Sequence, residues 1–195
     1  MTRPLLGTLL IATAVVTLPS ASRAQPRRPL PRAVEKVDLK RYAGRWYEVA
    51  RLPNTREKHC VSDVTVQYLM RDAGHVDVVT SCRTSDGKMR ETRGVGRRRG
   101  GTSSGRLEIR YAPAFFSFIP RVWKDHWILG LGPDYTWTVV GMPSHDHLWI
   151  LSRVPEMSTL SYQQALEIAD GNGFDIRQLV KTPTGQVTPV PPSPQ

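Results

Sequence analysis

Gly44-Arg45-Trp46-Tyr47-Glu48-Val49-Ala50-Arg51 is the stretch on which the reading of this chain turns. A glycine lets the backbone turn tightly because it has no Cβ to clash. The indole that follows is a large apolar plate, suited to floor the interior of a small β-barrel. The octet opens a strand expected over residues 46–52, preceded by a short turn of helix at 37–42. Downstream, β-branched residues dominate 64–70 and 76–80, and Arg71-Asp72-Ala73-Gly74 joins the two as a hairpin. A weaker strand covers 89–95, and 106–111 alternates with period two. Residues 127–129, 137–140 and 148–151 supply three more strands between Gly, Pro, Asp and Ser turns. Eight strands at regular spacing predict an antiparallel barrel or sandwich.

One helix follows them. Ser158 caps the segment 159–169, and Leu160, Ala165, Leu166, Ile168 and Ala169 form its apolar side. Gly171 and Gly173 end it. It is expected to pack outside the sheet, with a last extended piece over 174–179.

The ends of the chain read differently. Residues 1–24 combine a basic start at Arg3, an apolar run over 5–18 and Ser22-Arg23-Ala24 at the close, the pattern of a cleavable export signal. Pro19 interrupts the apolar run, which is short for a membrane span. No cysteine stands at the cleavage point, so no lipid anchor is expected there. Residues 25–36 read as a flexible Pro- and Arg-rich leader, 37–181 as one domain, and 182–195 as a disordered Pro-rich tail. The formal net charge is +10, and cleavage would remove Arg3 and Arg23 to leave +8. Such an excess favours anionic partners without naming one. An exported chain with two cysteines, Cys60 and Cys82, expects them to pair, with two buried thiols as the alternative.

Strand alternation gives a candidate lining. Val64, Val66 and Tyr68 share one face, as do Val76, Val78 and Thr80. The charges of Arg106, Glu108 and Arg110 turn Leu107, Ile109 and Tyr111 inward. The same parity offers His126, Ile128, Trp137, Val139, Trp149 and Leu151. An eight-stranded barrel is wide enough to be filled by side chains or to hold one small ligand. The set is apolar with a few polar tips, which suits an acyl chain with a modest polar end. On composition alone a dry, filled core fits equally.

Other features were weighed for chemistry. Arg97, Arg98 and Arg99 open a Gly/Ser-rich connection that reads either as a rim arm for anionic head groups or a membrane surface, or as a solvated charge run. Lacking interleaved aromatics, it gives no reason to expect nucleic acid. Ala114-Phe115-Phe116-Ser117-Phe118-Ile119-Pro120 reads as an apolar rim beside basic residues, or as core. His145-Asp146-His147 lacks the further ligands of a closed metal site and reads as a surface turn. There is no Gly-x-Ser-x-Gly elbow, no His-Glu-x-x-His and no phosphate-binding glycine fingerprint. No metal, cofactor or enzymatic activity is expected.

Three motifs in order, Gly44 to Arg51, Asp134-Tyr135-Thr136-Trp137 and His147 to Pro155, resemble the lipocalin family, in its bacterial and apolipoprotein D-like branch. Val64-Thr65-Val66-Gln67-Tyr68 and Gly173-Phe174-Asp175 fit the same pattern, and the likeness covers residues 37–181. The resemblance implies an all-β fold: an eight-stranded antiparallel up-and-down β-barrel with one C-terminal helix outside. It implies that Gly44, Trp46 and Arg153 close one end, the guanidinium stacked on the indole. It also implies an exported carrier of fatty acids, lysophospholipids or similar amphiphiles, serving envelope lipid maintenance. A protein-interaction or inhibitor module on a filled barrel, or a small cavity enzyme, are the alternatives. Many bacterial members carry an anchoring cysteine, which this chain lacks.

Overall fold

The computed structural model describes residues 29–72, 74–101 and 104–185. Eight strands follow one another: β1 (Gly44–Arg51), β2 (Cys60–Met70), β3 (His75–Thr84), β4 (Met89–Arg98), β5 (Arg106–Arg110), β6 (Trp123–Leu131), β7 (Trp137–Gly141) and β8 (Leu148–Ser152). Each pairs antiparallel with the next, and β1 pairs with both β8 and β2, which closes the barrel. The β1–β2 register runs from Gly44 opposite Tyr68 to Tyr47 opposite Thr65. Beyond it β1 parts from β2 and takes a ninth strand, β9 (Val180–Lys181), along Ala50 and Arg51. The up-and-down order puts the connections after β1, β3, β5 and β7 at one end, the mouth. Those after β2, β4 and β6 gather at the other, with the short helix α1 (Leu39–Tyr42).

The strands run longer than their β-branched cores suggest. β6 starts at Trp123, four residues ahead of the expected Trp127, because ladder hydrogen bonds carry Lys124 and Asp125 along regardless of their polarity. The export signal expected at 1–24 and most of the Pro-rich tail lie outside the described residues. From Pro31 the expected flexible leader is held: Pro31 is buried and the Val34 amide donates to the Ile128 carbonyl at 2.8 Å. Thr182 to Gly185, expected to be disordered, are held too. Asp63 donates its amide to the Pro183 carbonyl, and Thr182 donates its amide to that of Val49.

Helix α2 (Thr159–Gly171) starts where expected, its Ser158 hydroxyl accepting from the Ser161 amide. It lies on the outside of β6 and β7, so those strands are buried on both faces. That double burial defeats simple parity. Trp137 and Val139, expected to point inward, pack outward with Ala165, Ala169 and Phe174, while Val140 belongs to the barrel interior. Leu160, expected on the apolar side of the helix, is exposed.

The helix seat depends on a glycine. A Cβ on Gly130 would stand 2.6 Å from Ile168 Cδ1 and 3.0 Å from its Cγ2. Gly130→Ala therefore forces the helix outward, with an expected cost of about 1–3 kcal/mol for overpacking. A thermal melt reads it, and an unchanged midpoint would show that Ile168 simply rotates away.

Candidate functional site

The closed end is built on Arg153. Its guanidinium carbon lies 3.8 Å from the centroid of the Trp46 indole. Its nitrogens donate to the carbonyls of Arg41 (2.7 Å), Tyr42 (3.0 Å), Arg45 (3.0 Å) and Tyr135 (3.3 Å). Trp46 Nε1 donates to Tyr42 O at 2.9 Å. Gly44 has φ +101°, a backbone conformation L side chains rarely adopt, and a Cβ there would meet Arg153 at 3.1 Å. These three residues plug one end of the barrel and stand away from the cavity.

The cavity opens at the other end. It holds about 530 Å³ of empty space, counting the part open to solvent, and it is narrow: only about 40 Å³ is free to the centre of a water-sized sphere. Among the inward residues, twelve are expected to touch a ligand: Val64, Val66, Tyr68, Val78, Thr80, Ile109, Tyr111, His126, Ile128, Trp137, Val139 and Trp149; all but Val64, Ile128, Trp137 and Val139 line the cavity. Val64 packs instead on the Cys60–Cys82 disulfide, and Ile128 lies in the interior cluster without reaching the cavity surface. With Trp137 and Val139 outside the barrel, four of the twelve are displaced.

Depth separates two kinds of polar group. Tyr68 and His126 meet on strands deep in the barrel, the hydroxyl 2.8 Å from Nε2. Burial pushes the His126 pKa down to about 4, so the ring is neutral near pH 7. Burial also raises the pKa of Tyr68 and of Tyr111. At the mouth stand Arg56 and Glu57 from the β1–β2 connection, Lys124 from the start of β6 and His147 from the β7–β8 connection. Arg56 lies over the Tyr111 ring, 5.3 Å from its centroid, and Glu57 accepts from Trp149 Nε1 at 3.0 Å. Sequence periodicity could not find Arg56 and Glu57, because they lie in an irregular loop that only the closed barrel folds over the opening.

Behind this wall sits a buried acid. The bulge in β1 between Glu48 and Ala50 turns both Glu48 and Arg51 away from the helix-facing side. Glu48 accepts from the Arg51 guanidinium and the Thr182 hydroxyl, and its Oε2 has no hydrogen bond among the described residues. Burial, reinforced by the Glu57 charge, raises its pKa to about 7 against the opposing pull of Arg51.

Arg97, Arg98 and Arg99 are not at the rim. They end β4 and so lie toward the plugged end, opposite the mouth. Arg97 and Arg99 pair with the buried Glu108 on the outer wall, and Arg97 lies 3.9 Å from the Trp123 ring centroid. Arg98 donates to the carbonyls of Val37 and Ser104. None of the three lines the cavity; strand direction, which the local sequence does not reveal, decides this. The Phe-rich segment, in contrast, is at the mouth, with Phe115, Phe116 and Phe118 exposed in the β5–β6 connection.

The His145-Asp146-His147 turn holds no ligand cluster. His145 Nε2 lies 3.0 Å from the Asn172 carbonyl, and His147 pairs with Asp146. Among the described residues, potential metal-ligating atoms gather at His59, Cys60 and Cys82, and both sulfurs there are joined in the disulfide.

A family model described as a lipocalin-like domain matches residues 37–184. The chain belongs to the lipocalin-like family. Temperature-induced lipocalin-1 of Arabidopsis thaliana is 34% identical over 158 residues, covering 80% of this chain and 84% of its own. Outer membrane lipoprotein Blc of Escherichia coli K12 is 29% identical over 177 residues, covering 90% and 95%. Among solved structures, insecticyanin of the tobacco hornworm Manduca sexta superposes with a TM-score of 0.64 at 20% identity, covering 82% of this chain and 87% of its own. The last likeness concerns the fold. The family as a whole binds small hydrophobic molecules and is in general not catalytic.

Proposed function

We propose that this lipocalin is an exported, periplasmic or secreted carrier of single-chain amphiphiles, fatty acids or lysophospholipids, that takes up and releases its cargo at an anionic membrane surface. One observation carries the reading: the cavity opens at the end that carries both Arg56 and Lys124 and, in the β5–β6 connection, the exposed Phe115 and Phe118. Cations there suit a carboxylate or phosphate head, and the apolar wall suits the chain, each buried CH₂ contributing about 0.8 kcal/mol. The Phe side chains offer an apolar edge to enter the lipid boundary, with Arg121 and Lys124 beside them for anionic head groups. The homologues named outer membrane lipoproteins support a role in envelope lipid maintenance.

Native mass spectrometry of the protein purified from its host should show a copurifying lipid, displaced by a fluorescent fatty acid. Thr80→Trp, which fills the space between Val66, Val78 and Tyr111, should weaken that probe at least ~10-fold, the loss expected when two CH₂ equivalents of burial are blocked. Phe115→Ser with Phe118→Ser should cut binding to vesicles containing phosphatidylglycerol by a similar factor, at about 1.5 kcal/mol or more for a buried aromatic ring. A ligand-free mass together with no probe binding would overturn the carrier reading. The narrow bore would then favour a filled barrel acting as a protein-interaction module.

A further inference from the structure

The deep polar pair is unexplained by a plain acyl guest. Tyr68 and Trp149 bracket the His126 ring, with centroids 6.1 Å and 5.6 Å away, and Tyr68 occupies its Nε2. Nδ1 makes no hydrogen bond with any described residue and is not among the covered polar atoms, so it is an open polar atom on the cavity wall. Val66, Val78, Ile109 and Leu151 of the same lining are apolar, and Thr80, opposite Val66, and Tyr111 add hydroxyls. The cations stand at the mouth.

From this arrangement we infer that His126 selects acyl chains bearing an uncharged oxygen, a hydroxyl or keto group, part-way along the chain. The inference rests on the carrier reading. With the ionic head held at the mouth, the chain must pass the His126 ring to fill the cavity. A plain methylene there shuts Nδ1 off from solvent and leaves a buried polar atom unmatched. A chain oxygen at that height replaces the lost hydrogen bond. Sites built to hydrogen-bond a group discriminate strongly against the analogue lacking it, because the site's own polar atom is then orphaned. The ring is neutral by burial, so it offers a hydrogen bond and no charge.

The test is displacement of a fluorescent fatty acid from the full exported chain by octadecanoate and by hydroxyoctadecanoates with the hydroxyl at successive positions. At least one positional isomer should displace the probe at a concentration about tenfold lower than octadecanoate, the ratio for one hydrogen bond gained or lost. His126→Phe should remove that preference while octadecanoate still binds, and His126→Gln, which keeps an uncharged polar group, should retain part of it. Equal potency of every isomer, or a preference that persists in His126→Phe, would overturn the inference while leaving the carrier reading intact. Failure of all the ligands, octadecanoate included, would bring down the carrier reading itself. Should both variants fail to fold, the wild-type positional series still decides.

Discussion

Trp46→Ala is expected to cost about 3–5 kcal/mol, the usual range for emptying a buried tryptophan site. The indole is fully buried, and its removal strips Arg153 of its stacking partner and leaves Tyr42 O without its indole donor. Against a total stability of about 5–15 kcal/mol, such a loss brings the barrel near its unfolding threshold. Arg153→Ala should also destabilise, since four carbonyls lose a charged donor. Arg153→Lys should recover little, because an ammonium cannot reproduce the planar fork or the stack. Denaturant titration of the two single variants and the double variant should give a coupling of about 0.5–2 kcal/mol for the stacked pair. Additive losses would show that the stack contributes nothing beyond packing. Where the Arg153 variants remain folded, probe affinity should match the wild type, since the plug and the mouth lie at opposite ends.

Glu48 sets the second large expectation, a dependence of stability on pH. Burial raises its pKa from the ordinary 4.5 to about 7 in the fold. The folded state therefore binds the proton more tightly than the unfolded chain. Its favourable contribution is complete below about pH 4.5, fades as pH rises to about 7, and is gone above. A shift of that size corresponds to something on the order of 3 kcal/mol. Glu48→Gln keeps an acceptor for Arg51 and Thr182 and cannot ionise. Melting profiles of the two proteins from pH 4.5 to 8 should diverge, the wild type losing about 5–10 °C more than the variant at the upper end. Parallel profiles would mean that Arg51 neutralises the carboxylate fully.

The buried acid also shows what local sequence could not convey. Glu48 stands in the motif that announced the fold, two residues past Trp46. Nothing in that octet reveals the bulge in β1, nor that Thr182, more than a hundred residues later, closes over the carboxylate. The cavity lining divides along the same line. Where one strand face carries charges, as with Glu108 opposite Ile109, alternation alone assigned the inward side. On β7 both faces are apolar because α2 covers the outer one, so period two carries no sign, and Trp137 and Val139 were assigned to the wrong side.

What the sequence by itself determined was the set of barrel strands, the capped helix and which two cysteines a disulfide would join; the indole–guanidinium plug was implied by the family resemblance. The first three rest on chemistry legible along the chain: β-branched alternation, a serine at a helix start, two cysteines with one possible pairing. Tertiary structure alone decided which end each loop occupies, and so why Arg97 to Arg99 sit beside the plug while Arg56 and Lys124 guard the opening. It also decided that Tyr68 and His126, 58 positions apart in the chain, meet inside the barrel. Strand order and barrel closure set those distances, and both arise from hydrogen-bond pairing between segments far apart in sequence.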